Sequence, residues 1–201
     1  MKRTIGVLLA LIGVAAPALA QSNDWTIDPA HTAAQFAVRH MLVSTVRGQL
    51  GPVTGTVKYD GKDVKSIEVN ATIDVTKLDT RVEGRDNDLR SPNFFDTATY
   101  PTMTFKSKRV EPVGPGHFKL IGDLTMKGNT REVTLDVEGP SPPLKMGANT
   151  RMGASATTTI NRKDFGLTWN KLLETGGAVV SDEVQVQIDI ELTQKGAAAG
   201  K

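Results

Sequence analysis

Three groups of residues in this chain have side chains suited to chemistry: the histidines His31, His40 and His117, the carboxylates Glu83, Asp86, Asp88 and Asp96 set among Arg81, Arg85 and Arg90, and the triplet Asp164-Phe165-Gly166. A metal site needs ligands that converge on one ion. His31 and His40 are nine residues apart, an odd separation that puts them on opposite faces of a continuous strand. His117 opens a separate run, so hydrogen-bonded or surface histidines are the simpler account and no metal is expected. The carboxylates alternate with arginines in a segment of helical pattern, where surface ion pairs and helix capping explain them without acid–base catalysis. The Asp-Phe-Gly triplet matches a kinase fragment whose partner motifs are missing. Gly-x-Ser-x-Gly, His-Glu-x-x-His and a phosphate-binding glycine loop are also absent. No catalytic residue is assigned.

The elements that must position these residues are strands. Seven segments alternate apolar and polar residues with period two. From Ser66 to Val75, Ile67, Val69, Ala71, Ile73 and Val75 share one face while Glu68, Asn70, Thr72 and Asp74 share the other. Val53 to Tyr59, Phe118 to Met126, Val133 to Val137 and Val184 to Leu192 repeat the pattern. One dry face per strand implies a rolled or sandwiched antiparallel sheet around a common interior. Many positions in the inward phase are small: Ala34, Gly55, Ala71, Gly122, Ala154 and Ala156. An eight-stranded barrel has room either to pack itself solid or to hold one small ligand. Small inward residues fit a cavity, and inward glycines equally fit bends in the strands. Alternation alone permits both.

One segment departs from the strand pattern. Thr80-Arg81-Val82-Glu83 reads as a capping box that starts a short helix. Ser91-Pro92 is a second start signal, leading into Asn93-Phe94-Phe95-Asp96. Val82, Leu89, Phe94 and Phe95 are placed to cover an open barrel end, as a plug or as a gate. Asp60-Gly61 and Gly128-Asn129 mark hairpin turns. Pro140-Ser141-Pro142-Pro143 is a surface loop, because too little strand sequence follows it for a second core.

Lys2 and Arg3, the apolar stretch from Ile5 to Ala16, and Ala18-Leu19-Ala20 match a secretory signal cleaved before Gln21. A membrane anchor needs roughly 18 or more apolar residues, and Gly6, Gly13 and Pro17 weaken this shorter stretch. The expected organisation is residues 1–20 removed, 21–193 as one domain, and a small, polar tail over 194–201 that frays. The chain has no cysteine, so neither an acylated cysteine nor a disulfide is available to the exported protein. Without Lys2 and Arg3 the remaining 22 basic residues balance 22 acidic ones. No basic run longer than Lys106 to Arg109 survives, and a nucleic-acid partner has no electrostatic footprint.

Taken together, several blocks resemble the YceI family of bacterial exported lipid-binding proteins. They are Trp25-Thr26-Ile27-Asp28-Pro29-Ala30-His31, Phe36-Ala37-Val38-Arg39-His40-Met41, the block GRDNDLRSPNFFDTATYPTMTFKS from Gly84 to Ser107, Gly122 to Gly128, Asn161-Arg162-Lys163-Asp164-Phe165-Gly166, and the closing strand from Val184 to Leu192. Thr32 stands where serine is more usual, an exchange that keeps the hydroxyl. The resemblance implies an all-β fold: an eight-stranded antiparallel lipocalin-like β-barrel with a short helical insertion and an elongated apolar tunnel. Family members are associated with polyisoprenoids and other long aliphatic molecules.

On that reading the tunnel is expected to take an isoprenoid lipid, an isoprenoid quinone or a fatty-acid-like chain as its partner, with no cofactor and no stable membrane insertion. The protein is expected in the periplasm. A homodimer is left open. The expected ligand contacts are Phe36, Val38 and Ala71 on the strands, with His40, in phase with Phe36 and Val38, as a polar contact. Leu89, Phe94 and Phe95 cover one end, and Phe165 and Trp169 wall it. Arg85 and Asp86 sit near the mouth, where arginine suits phosphate or carbonyl oxygens. A bridge from Arg85 to a carboxylate, pinning the helix to the rim, is the structural alternative. The rival function is an enzyme acting on such a lipid through His40, Arg85 and Asp86.

Overall fold

The computed structural model describes residues 23–172 and 178–195. The expected signal peptide lies outside the described residues. Among these residues eleven strands run in chain order: β1 (Asp24–Ile27), β2 (Ala33–His40), β3 (Ser44–Gln49), β4 (Val53–Lys58), β5 (Glu68–Asp74), β6 (Thr102–Gly114), β7 (His117–Met126), β8 (Asn129–Glu138), β9 (Leu144–Met146), β10 (Asn149–Asn161) and β11 (Val180–Lys195). Among the described residues one α-helix, α1 (Glu83–Arg90), interrupts them between β5 and β6.

These eleven elements make eight staves of a closed antiparallel barrel. β1 and β2 both lie along β11, with Thr26 opposite Thr193 and His40 opposite Val180, so they are one stave broken at residues 28–32. β3 and β4 lie along that stave in the same way and break at residues 50–52. β8 and β9 both pair with β10 and break at residues 139–143. Thirteen consecutive pairs, from Asn149 opposite Lys195 to Asn161 opposite Glu183, join β10 to β11 and close the ring. All eight staves are antiparallel, as short hairpin connections require.

Local chemistry explains the first of these breaks. At residues 28–32 the Asp28 carboxylate accepts from the Ala30 amide (3.0 Å), lies 2.9 Å from His31 Nδ1 and 3.2 Å from Arg151 Nη1. Arg151 also donates to Glu191 on β11. The backbone polar groups freed by the kink are therefore taken up across the seam: the Asp28 amide donates to the Glu191 carbonyl (2.9 Å) and the Glu191 amide to Thr32 Oγ1 (3.1 Å). The β7–β8 turn is Lys127-Gly128, both at positive φ, one residue earlier than the expected Gly128-Asn129.

Three expectations need correction. The capping box does not form: α1 begins at Glu83 after Val82, which gives no side-chain cap. Thr80 instead turns its amide and hydroxyl to Asp86, inside the helix. Ser91-Pro92 starts no second helix. Ser91 ends α1, and its hydroxyl accepts from the Asn93 amide (3.3 Å) in a tight turn. Gln194 and Lys195 belong to β11 rather than to a tail, and Gln194 is buried. No helix among the described residues is long and apolar enough to cross a membrane.

The His31 hydrogen bond is the leading cause that holds the Asp28 pKa below its ordinary 3.8, with the Ala30 amide and the Arg151 charge acting in the same direction. A carboxyl whose folded pKa is depressed contributes stability above its unfolded pKa and loses it as pH falls through the folded one. An NMR titration of the Asp28 carboxyl should therefore show a midpoint below 3.8, and His31→Ala should raise it. An unchanged midpoint in the variant would show that His31 does not anchor the kink.

Candidate functional site: an apolar lumen

The barrel encloses a cavity of about 210 Å³ whose wall is almost wholly aliphatic and aromatic. Every stave contributes to it from its inward phase, as with Val38, Val57, Ala71, Leu120, Leu135, Ala156 and Ile188. Registers place Ala71 between Gly55 on one neighbour and Phe105 on the other. The middle of β5 therefore presents little bulk to the interior, and with Ala154 and Ala156 across the ring it leaves space.

The small residues do two jobs, so both sequence readings hold at different positions. Gly55 has φ +147, and a Cβ there would lie 2.1 Å from the Asn70 carbonyl oxygen, so this glycine serves backbone approach. A Cβ on Gly122 would lie 2.6 Å from Phe105 Cζ and 2.5 Å from the Lys106 carbonyl oxygen. Gly122 thus seats the Phe105 ring beside the bulge between β6 and β7. Ala71, Ala154 and Ala156 border the cavity itself.

One end is closed by α1 and the turn after it. Leu89, Phe94 and Phe95 border the cavity there. The polar side of this cap is self-contained. Asp86, buried, accepts from the Thr80 amide (2.9 Å) and hydroxyl (2.5 Å). Arg85 donates from Nε to Thr80 Oγ1 (2.7 Å) and from Nη2 to the Thr80 carbonyl (2.9 Å). Arg90 donates to the carbonyls of Thr76 (3.0 Å) and Leu78 (2.7 Å). Arg85 and Arg90 hold backbone carbonyls of residues 76–80, not the carboxylate partners expected from the alternation of charges. Arg85 and Asp86 do pin the helix, through Thr80, and neither borders the cavity.

Arg162 has no role that a motif or local spacing reveals. It is buried and, among the described residues, is the one charged side chain bordering the cavity. Guanidinium carries five N–H donors. Here Nε donates to the Ser181 carbonyl (2.9 Å), Nη1 to the carbonyls of Leu167 and Trp169, and Nη2 to the Val180 carbonyl and Asp182 Oδ1 (3.4 Å). Burial lowers its pKa, while the Asp182 charge acts the other way. Every donor is thus turned to the chain, tying residues 167–169 to the start of β11. A signal was present: Arg162 continues the inward phase of Ala154, Ala156 and Ile160, and a charge on a dry face must be fully partnered.

Of the other expected contacts, Phe36 and Val38 border the cavity. Phe165 is fully buried and Trp169 half-buried, but neither borders it. Trp169 packs on Phe94 with ring centroids 5.3 Å apart, so it backs the wall rather than forming it. His40 also stands outside the wall, because β2 ends there and the chain turns away past the rim. Asp28, His31 and Glu191 do come within ligand distance of one another. Histidine spacing could not show this, because Glu191 comes from β11. Arg151 donates to both carboxylates and already supplies the cation between them.

The YceI-like domain family model matches residues 25–192. A UPF0312 protein of Staphylococcus aureus (strain N315) is 36% identical over 173 residues, which cover 85% of this chain and 98% of the relative. Among solved structures, Burkholderia cenocepacia BcnA superposes with a TM-score of 0.69 at 25% identity, covering 82% of this chain and 98% of that one. A polyisoprenoid-binding domain from Saccharophagus degradans superposes with a TM-score of 0.62 at 16% identity, covering 88% and 100%.

Removing the Arg162 side chain would leave the carbonyls of Leu167, Trp169 and Ser181 without their donor. Arg162→Met should therefore destabilise the fold by about 3 kcal/mol, measured by urea unfolding at constant m-value. A loss below about 0.5 kcal/mol, the range of ordinary surface changes, would show that the clamp does not hold the barrel end.

Proposed function

The chain belongs to the YceI-like family, and on that premise we propose that it is an exported, periplasmic carrier or reservoir that holds one long apolar molecule in the barrel. The cargo class is an isoprenoid lipid, an isoprenoid quinone or a fatty-acid-like chain. The observation that carries this reading is the lumen: an almost wholly aliphatic and aromatic wall whose one charged neighbour among the described residues, Arg162, has all its donors engaged by the protein. Such a wall recognises girth and length rather than a head group. Each buried methylene contributes about 0.8 kcal/mol, so a few prenyl units suffice for tight retention without polar contacts. The polyisoprenoid-binding description of the Saccharophagus neighbour agrees with this class of cargo.

Phe36, Val38, Ala71, Leu89, Phe94 and Phe95 are the proposed ligand contacts, with Phe165 and Trp169 supporting them from behind. His40, Arg85 and Asp86, the polar groups an enzyme acting on such a lipid would use, do not border the cavity.

The test is organic extraction and mass spectrometry of the protein purified without detergent, paired with the variant Ala71→Trp. An indole at Ala71 would occupy the space the cargo fills. Ala71→Trp should keep near-wild-type thermal stability without lipid and retain much less apolar ligand. In a solid core the same change would overpack the interior and cost about 1–3 kcal/mol. Such a loss in the lipid-free state, or unchanged retention in the variant, would contradict the proposal.

A further inference from the structure

Where β2 turns into β3, three consecutive apolar residues project from the barrel: Met41, Leu42 and Val43 are 43%, 66% and 82% exposed. The turn is tight. The Val43 amide donates to the His40 carbonyl (3.0 Å), and φ is +52° at Met41 and +60° at Leu42. Two successive positive φ values suit Asn-Gly, and a branched apolar side chain is strained there. Backbone chemistry therefore does not select Met-Leu-Val at this tip, and the fold buries none of the three. A fourth apolar residue stands beside them. The Met41 amide donates to the Val179 carbonyl (2.8 Å) and the Val179 amide to the Lys171 carbonyl (2.9 Å), which brings up Leu172, 82% exposed.

The tip carries three cations, on β2, on β3 and just before Leu172, while the start of β11 beside it carries the carboxylates Asp182 and Glu183. Arg39, Arg47 and Lys171 are exposed and form no ion pair among the described residues. Arg39 donates to the Leu42 carbonyl (2.7 Å) and to Thr45 Oγ1 (3.1 Å), which keeps its cation at the base of the tip. The nearby Asp182 is engaged by Arg162 and Lys163. Apolar prongs above a collar of unpaired cations match the chemistry of an anionic lipid surface, with acyl chains below and phosphates above. The tip also adjoins the lumen, since Val180, next to Val179, borders the cavity.

We propose that Met41, Leu42, Val43 and Leu172 form a docking tip that enters the surface of an anionic bilayer and sets that end of the barrel against it. Exchange of cargo at this contact rests on the carrier reading, whereas docking does not.

The experiment is co-sedimentation with vesicles of phosphatidylglycerol and phosphatidylcholine, compared with phosphatidylcholine alone, for the wild type and for Leu42→Asp with Val43→Asp. The wild type should bind the anionic vesicles at least about tenfold better than the double variant or the neutral vesicles. The unfolding midpoint and the uptake of geranylgeraniol from detergent-free solution should stay unchanged in the variant. Equal binding by the variant, or no binding by the wild type, overturns the docking tip. So does a wild-type dimer in light scattering that the double substitution splits, since the tip would then cover a second copy. Failure of the wild type to take up geranylgeraniol counts against the carrier reading and leaves the vesicle result to decide docking.

Discussion

Closure of the ring constrains everything else in this protein. Once β10 and β11 pair over thirteen positions, the circumference of the eight-stave barrel is set by backbone hydrogen bonds and cannot shrink around small side chains. An open sheet with Ala71, Ala154 and Ala156 on its inner face could collapse onto its partner layer. A closed one cannot, so missing side-chain volume becomes lumen. The size of the inward residues, more than their hydrophobicity, is thus the quantity that sets what the interior holds.

A ring of this kind still has two ends, and the one nearest α1 is held by polar groups that turn inward on the chain itself. Arg162 gathers residues 167–169 and the start of β11, and Arg85, Asp86 and Arg90 gather residues 76–80 beneath the helix. Burying guanidinium and carboxylate groups is favourable only with nearly complete hydrogen bonding, and that condition is met here. The consequence for function is direct. Polar atoms close to the cavity satisfy one another, and the surface left facing the lumen is apolar. The exposed apolar residues Met41, Leu42 and Val43 are the counterpart outside, where no described residue buries them.

Much of this was legible in the sequence because strand alternation maps directly onto the two faces of a barrel. The residues Ile67, Val69, Ala71 and Ile73 border the cavity in the phase that alternation gives, as do Phe36 and Val38, and Leu89, Phe94 and Phe95 lie against it from the cap. What stayed hidden depends on where staves break and on partners far apart in the chain. His40 shares the inward phase but falls beyond the rim, because the stave ends at that residue. Thr80 and Glu83 have capping-box spacing, yet Asp86 competes for the Thr80 hydroxyl and moves the helix start to Glu83. The grouping of His31 with Asp28 and Glu191 needs the register of β11, which local spacing does not carry.

The central claim is that the space between Ala71, Ala154 and Ala156 is where a long apolar chain lies. Isotope-filtered NOEs between the methyl groups of these three alanines and a protonated polyisoprenoid, bound to protein deuterated everywhere except at its alanine methyls, test it most directly. Cross-peaks from all three methyls to the prenyl protons are the predicted result. A bound polyisoprenoid whose only NOEs reach residues outside the barrel would contradict it.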